Sequence, residues 1–340
     1  MKTILVTGGA GFIGSHTVVA LQEKGYKAII ADDFSNSNLD SIDRIEKITG
    51  IRPAFIKADL SDKRQCDNVF DTFTDIDGVI NFAAFKAVGE SCDKPIEYYN
   101  NNMGILLNVL SNMKRREIKY IVHSSSCTVY GEPDSLPIKE STSTKFAESP
   151  YGNTKQMAED ILYFTTKATC IKAIALRYFN PIGAHPSSII GELPNGVPNN
   201  LMPFITQTAI GIRKELTVFG DDYPTRDGTC IRDYIHVVDL AEAHVVSMDR
   251  FFANKNKSEL EFFNIGTGNG FTVLEVIKSF EKTTGLKLNY KIGERRAGDI
   301  IQIWADTQLA ENELGWKAKL SLDDMTLSAW NWEKALEKKI

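Results

Sequence analysis

Thr3-Ile-Leu-Val-Thr7-Gly8-Gly-Ala-Gly11-Phe-Ile-Gly14, at the start of the chain, sets its architecture. Its first five residues are a short apolar run rich in β-branched side chains, the pattern of a buried parallel strand. Glycines at 8, 11 and 14 follow at once, and Ser15 to Lys24 then reads as an amphipathic helix closed by Gly25. Glycines so placed let the backbone turn tightly and approach a pyrophosphate, while the helix N-terminus offers N–H donors and a positive dipole end. The spacing is Gly-x-x-Gly-x-x-Gly, a variant of the Gly-x-Gly-x-x-Gly fingerprint. In a strand–turn–helix setting it points to dinucleotide binding.

The pattern repeats downstream. Ala28–Ala31 is a second strand ending at Asp32-Asp33. A carboxylate there accepts hydrogen bonds from the adenosine ribose, and two of them repel a 2′-phosphate, which favours NAD over NADP. For Asp33 a turn or helix cap is the alternative. Asn36 and Ser37 follow in a polar loop within reach of ribose or phosphate. Ala54–Ala58 leads to Asp59 and Leu60 as adenine neighbours, and Gly78–Phe82 leads to Ala83 and then Lys86, which can reach the cofactor ribose or phosphates. A helix from about Pro95 to Arg116 carries Asn101, which can hydrogen-bond near the cofactor or equally face solvent. Ile118–His123 is a strand from whose end Ser124-Ser125-Ser126-Cys127-Thr128 leaves, and Cys170–Tyr178 is a sixth. Strict strand–helix alternation implies an α/β protein with a Rossmann-type doubly wound parallel sheet. Ligands in such sheets bind outside the carboxyl ends of the strands, where the serine hydroxyls would lie.

Tyr151-Gly-Asn-Thr-Lys155 adds a chemical pair. Residues four apart share a helix face, so phenol and ammonium become neighbours. A free tyrosine, with a pKa of about 10, is a poor base at neutral pH. A nearby cation is expected to lower that value and yield a phenolate able to deprotonate an alcohol. Tyr163 and Lys167 repeat the spacing, so spacing alone does not single out a site. Ser149-Pro150 as a helix entry, the upstream serines and the glycine turn favour the first pair.

Past Pro181 the pattern is less regular, with turns at Pro194, Pro198 and Pro203. The expected division is residues 1–180 as the NAD-binding domain, with a return segment near 237–265, and 181–340 as a smaller substrate lobe. Arg232 and Arg296 suit a diphosphate, because guanidinium forks match phosphate oxygens. Thr272 to Thr284 reads as an amphipathic helix and Glu333 to Lys339 as a solvated helix end.

Composition narrows the function classes. A formal net charge of -5 argues against a nucleic-acid or anionic-membrane partner. The five cysteines lack paired spacing and read as reduced thiols, and the five histidines make no metal-ligand pattern, so no metal is expected. The chain enters a strand at its second residue and lacks any apolar run near the roughly 20 residues that span a bilayer, so the expectation is a cytoplasmic protein without a signal peptide.

Taken in order, several segments carry a resemblance: Thr7 to His16, Lys86 to Ser91, Ser124 to Gly131, Ser149 to Lys155, Leu176 to His185, Asn199 to Pro203, Gly220 to Thr225, Arg232 to His236 and Arg295 to Asp299. The chain resembles the extended short-chain dehydrogenase/reductase superfamily and, within it, the UDP-glucose 4-epimerase family, nearly end to end. The resemblance implies Tyr151 as acid and base, Lys155 as holder of the nicotinamide ribose and Ser126 as partner of the reacting sugar hydroxyl, assisted by Thr128. It implies NAD contacts at Gly8, Gly11, Phe12, Ile13, Gly14, Asp32, Asn36, Ser37, Asp59, Leu60, Phe82, Ala83, Lys86, Asn101, Ser126, Tyr151, Lys155 and Phe179. UDP-sugar contacts would come from Asn180, Asn200, Leu201, Phe219, Arg232, Arg296 and Asp299. The implied reaction is NAD-dependent inversion at C4 of a UDP-hexose, UDP-galactose to UDP-glucose, through a transient 4-keto sugar, in a homodimer. Ile303 departs from the family, which carries Tyr there in hexose-restricted members and Cys or Ser in those accepting N-acetylhexosamines. UDP-N-acetylglucosamine 4-epimerisation, or dual specificity, is therefore the alternative. A sugar-nucleotide 4,6-dehydratase shares the fold and the Tyr/Lys pair but needs a carboxylate where Cys127-Thr128 stands.

Overall fold

The computed structural model describes residues 1–296 and 299–337. Five βα steps and a sixth strand open the chain: β1 (Thr3–Thr7), α1 (Phe12–Glu23), β2 (Lys27–Asp32), α2 (Asp40–Thr49), β3 (Ala54–Lys57), α3 (Lys63–Thr72), β4 (Gly78–Asn81), α4 (Val88–Asp93), α5 (Pro95–Arg115), β5 (Tyr120–Ser126), α6 (Pro150–Ala168) and β6 (Lys172–Tyr178). Then come β7 (Asn180–Ile182), α7 (Leu201–Ala209), β8 (Leu216–Phe219), β9 (Ile231–His236), α8 (Val237–Phe252), β10 (Leu260–Ile265), β11 (Gly270–Thr272), α9 (Val273–Thr284), β12 (Tyr290–Gly293), β13 (Gln302–Ile303), α10 (Gln308–Leu314) and α11 (Leu322–Glu337).

Seven strands form one sheet in the order β10-β6-β5-β4-β1-β2-β3, every neighbouring pair parallel. A sheet covered on both faces needs apolar side chains on both, and β1 meets that need by alternation. Ile4 and Val6 pack with Val18, Val245, Met248 and Phe251 from α1 and α8, whereas Leu5 packs with Val69, Leu106 and Leu162 from α3, α5 and α6. Each such fully buried aliphatic contributes about 1.5–3 kcal/mol relative to exposure.

Helix α1 differs from its sequence reading. It begins at Phe12 rather than Ser15, and Gly14 through Leu21 are all buried except Ala20. Helix α8, which arrives from more than 200 residues away, packs beside α1 on the same face of the sheet, and its Asp249 accepts a hydrogen bond from Tyr26. The serine run also differs: β5 continues through Ser126, paired with Tyr178, instead of breaking after His123.

The later elements build a second core from Met202, Ile205, Leu216, Val276, Phe280, Met325 and Trp330, under β9, β7, β11 and β13. Helix α9 starts with a reciprocal cap in which Thr272 and Glu275 bond each other's backbone N–H groups. The solvated end expected over Glu333–Lys339 is corrected at its first residue: Glu333 is buried and accepts a 2.7 Å bond from Thr206, while Lys338 and Lys339 lie outside the described residues. Among the described residues no helix is long and apolar enough to cross a membrane.

Candidate active site

Strand β1 lies between β4 and β2, so chain connections leave it in opposite directions. This is the topological switch point where open α/β sheets bind ligands. Gly8 follows β1 with φ +66°, and a Cβ there would stand 2.8 Å from the Ala83 nitrogen. A Cβ on Gly14 would stand 2.2 Å from the Gly8 carbonyl oxygen. Both positions demand glycine, and together they form a cradle that fits a pyrophosphate. Gly11 is the N-cap of α1, and the first intrahelical bond runs from Ser15 to Gly11 at 2.9 Å. The N–H groups of Phe12, Ile13 and Gly14 precede it and are open to an anion.

Around this turn the expected cofactor residues sit at neighbouring strand ends. Asp32 is buried; one carboxylate oxygen accepts from the Ala10 N–H at 3.0 Å, the other from the Phe34 N–H at 2.9 Å and the Ser37 hydroxyl at 2.8 Å. Burial pushes its carboxyl up, and those bonds oppose the shift. Asp33 instead accepts from Ser35 and caps the turn. Asn36 is exposed. Asp59 caps Ser61, and Leu60 is buried with its carbonyl accepting from Asn108. Phe82 rests on His244, ring centroids 4.6 Å apart, and the Ala83 N–H reaches the Thr7 hydroxyl at 3.3 Å. Phe179 is buried directly after β6, its N–H bonded to Ile265. Asn101 donates to Asn102. Buried Asn102, which the sequence reading missed, clamps both backbone groups of Phe85 and bonds Thr154 on α6. Its only sequence signal was an asparagine run, Asn100 to Asn102.

Ser149 caps α6 by accepting from Gly152, and Pro150 sets the entry, so Tyr151 stands in the first turn. Lys155, one turn on, is buried; its ammonium donates to the Ser124 carbonyl at 2.7 Å and lies 5.7 Å from the centre of the Tyr151 ring. The Ser126 hydroxyl acts on the Tyr151 phenol, favouring its ionised form. Tyr163 and Lys167 also pair, but on the solvent face of α6, with Tyr163 43% exposed. Equal spacing thus yields one buried pair at the strand ends and one surface pair.

The expected lowering of the Tyr151 pKa is corrected. Burial pushes the phenol up, against the Ser126 hydrogen bond, and pulls Lys155 down to about 8, against the attraction of Glu159. Withholding water from a phenolate outweighs one cation whose head is already engaged by a carbonyl.

The three serines have different duties. Ser124 bonds the Tyr178 hydroxyl, and Ser125, pointing to the other face, donates to Glu159 at 2.6 Å. Arg177 grips Glu159 with two nitrogens at 2.9 and 2.6 Å, which locks α6 onto β5 and β6. Ser126 is the one left facing Tyr151; its oxygen accepts from the Thr128 N–H at 3.2 Å. The Thr128 hydroxyl is buried with no partner among the described residues, so it has capacity for a ligand.

The expected UDP-sugar residues gather partly. Arg296 donates to Asp299 at 2.6 Å and lies 5.7 Å from the Phe219 ring centre, and Arg232 approaches the same carboxylate at 3.7 Å. Two guanidiniums on one carboxylate leave excess positive charge for a diphosphate. Burial pushes the Cys127 thiol up to about 12 while Arg232 pulls it down, so this cluster faces the residue after Ser126. Ile303 pairs with Arg232 across β13 and β9 and is 2% exposed, packed with Cys127, Val129 and Phe179. Asn180 begins β7. Asn200 and Leu201 stand apart from the arginines at the start of α7, where Asn200 donates to Glu192 at 2.6 Å. Glu192, also missed from sequence, lies 3.6 Å from the Lys86 ammonium.

Known proteins bear on this arrangement. The family model described as GDP-mannose 4,6 dehydratase matches residues 5–328. The UDP-glucose 4-epimerase of Bacillus subtilis is 48% identical over 333 residues, covering 98% of this chain and 97% of its own. The crystal structure of UDP-glucose 4-epimerase from Bifidobacterium longum, in complex with NAD+ and UDP, is 47% identical, with TM-score 0.95 and 100% of both chains covered. That from Stenotrophomonas maltophila, with bound NAD and formylated UDP-arabinopyranose, is 44% identical, with TM-score 0.96 and the same coverage. With relatives this similar along its whole length, the chain belongs to the UDP-glucose 4-epimerase family of the extended short-chain dehydrogenases/reductases.

Proposed function

We propose that this chain interconverts UDP-galactose and UDP-glucose by inverting C4, with NAD retained through the cycle. The observation that carries the reading is the meeting of Tyr151, Ser126 and Lys155 beside the glycine cradle, with Arg232 facing Cys127 next door. NAD, when bound, supplies the acceptor for the C4 hydride and returns it. Gly8, Gly11, Phe12, Ile13 and Gly14 would hold its pyrophosphate, Asp32 to Ser37 its adenosine side, and Lys155 its nicotinamide ribose.

Tyr151 takes the proton of the sugar 4-hydroxyl and later gives it back, on whichever face of the sugar is presented. Ser126 orients that hydroxyl, with Thr128 assisting. Because burial raises the Tyr151 pKa, the proton must leave in concert with hydride loss or in the field of an added positive charge, which oxidised nicotinamide carries. Arg232 and Arg296 anchor the diphosphate while the 4-keto sugar turns about its link. Nothing in this route consumes cofactor, and the many contacts around the cradle suit retention.

The pocket wall at Ile303 is bulkier than cysteine and smaller than tyrosine, so UDP-N-acetylhexosamines are the second substrate class of the reading. A dehydratase would need a carboxylate beside Ser126, where Cys127 and Thr128 stand. The proposal extends to residues 1–180 with the 237–265 return as the NAD-binding domain, 181–340 as the substrate lobe, and a cytoplasmic homodimer. Leu107 on α5 and Phe164 on α6, 50% and 69% exposed, support joining through those helices. The test is turnover of UDP-galactose by purified protein without added NAD, beside UDP-N-acetylgalactosamine. Formation of UDP-glucose supports the reading; no turnover of either sugar, even with NAD added, defeats it.

A further inference from the structure

The segment from Gly191 to Asn195 links parts of the molecule that are distant in sequence. Asn195 donates its amide to the carbonyl of Ser35, in the loop after β2, at 3.2 Å. Glu192 approaches Lys86, in the loop after β4, at 3.6 Å. Since β1 lies between β4 and β2 in the sheet, a segment tied to both loops passes over the turn that follows β1. That turn is the glycine cradle. On its other side the segment is held from the second lobe: the Trp332 indole donates to the Glu192 carbonyl at 2.9 Å, and Gly191 is so close to Trp332 that a Cβ would stand 2.5 Å from the ring.

Glu192 is the joint. One carboxylate oxygen serves both Lys86 and Asn200, the latter at 2.6 Å. The other is buried without a partner among the described residues. Its side chain is 11% exposed, so the carboxylate itself has little access to water, whereas the Lys86 side chain is half-exposed. On the reading above, Lys86 belongs to the NAD site and Asn200 to the UDP-sugar site. One carboxylate oxygen therefore touches a residue from each.

We propose that Gly191–Asn195 is a strap across the bound dinucleotide, and that Glu192 is a positioning residue coupling cofactor retention to occupation of the UDP-sugar site. Filling the sugar-nucleotide site orders Asn200, which fixes Glu192, which holds Lys86 over the cofactor. Coupling of this kind is reciprocal in affinity, so UDP tightens NAD binding by the factor by which NAD tightens UDP binding. The proposal rests on the NAD and UDP-sugar reading, and the wild type tests that separately through its own NAD content and turnover.

The experiment uses the holoenzyme as purified, following NAD release during buffer exchange with and without UDP. In wild type, UDP slows release by about 5-fold or more, the lower end of ordinary coupling. Glu192→Gln retains an acceptor for Asn200 but loses the charge toward Lys86; it should release NAD about 5-fold faster, with the UDP effect reduced toward unity. Asn195→Ala removes only the tie to Ser35; it should release NAD faster while keeping the wild-type response to UDP. A merely structural role for Glu192 would speed release without changing the response to UDP. Release from Glu192→Gln that UDP still slows by the wild-type factor overturns the coupling. Release from Asn195→Ala at the wild-type rate overturns the strap.

Discussion

Lys155 is held where burial disfavours its charge, and this makes Lys155→Met an informative substitution. A fall from 10.5 to about 8 corresponds to about 3 kcal/mol spent on keeping the ammonium charged in the fold. Methionine removes that cost but forfeits the charge-assisted hydrogen bond to the Ser124 carbonyl, worth about 2 kcal/mol. The net expectation is a gain of about 1 kcal/mol at pH 7. For a chain of 340 residues, an unfolding entropy of about 2.1 cal/mol/K per residue converts this into a rise in Tm of about 1 °C. The gain should depend on pH in a defined direction. Below pH 8 lysine is protonated folded and unfolded, so its cost is complete. Between pH 8 and 10.5 the unfolded chain binds more protons, wild-type stability recovers as pH rises, and by pH 9.5 the cost has shrunk to about 1 kcal/mol. Thermal unfolding of nucleotide-free wild type and Lys155→Met at pH 7 and 9.5 reads this directly. A lower Tm for the variant at pH 7, or a gain undiminished at pH 9.5, would refute the reasoning. Activity should move the other way, since on the proposed mechanism this ammonium holds the nicotinamide ribose.

Tyr151→Phe removes the hydroxyl that the proposed mechanism uses as proton carrier while leaving the ring in place. Turnover of UDP-galactose should fall by about 100- to 10,000-fold with KM within a few-fold of wild type. Gly14→Ala puts a methyl 2.2 Å from a backbone oxygen that cannot move aside, so the purified variant should carry little NAD by absorbance; Gly25→Ala, at φ +88° in open space, should keep its NAD and lose only about 1 kcal/mol of stability. Ile303→Cys shortens a wall residue packed on Cys127 and should raise kcat/KM for UDP-N-acetylgalactosamine relative to UDP-galactose by about 10-fold.

How much of this was legible in the sequence depended on how local the cause was. Strand β1, the glycine turn and α1 are specified by adjacent residues, so the parallel sheet and the cofactor end of the site could be read directly. The near-complete burial of α1 could not, because α8 packs beside it from the far half of the chain. The same holds for the polar groups that brace the site. Glu159 and Arg177 are 18 residues apart, Asn102 reaches Thr154 across 52 residues, and Trp332 reaches Glu192 across 140. Each meaning comes from a partner the local pattern does not name. Tyr163-Lys167 gives the converse case, a motif correct in spacing but on a solvent face. The upward displacement of the Tyr151 pKa was invisible for a related reason: spacing supplies the neighbouring cation but not the desolvation that opposes it.

The account stands on hydride leaving and re-entering the same carbon while Tyr151 carries only the proton. UDP-galactose deuterated at C4, turned over by the purified protein in ordinary water without added NAD, tests this directly. The expected product is UDP-glucose with the deuterium still at C4 and its configuration inverted. Replacement of the label by solvent hydrogen would mean that C4 exchanges as a proton, and would contradict the mechanism at its centre.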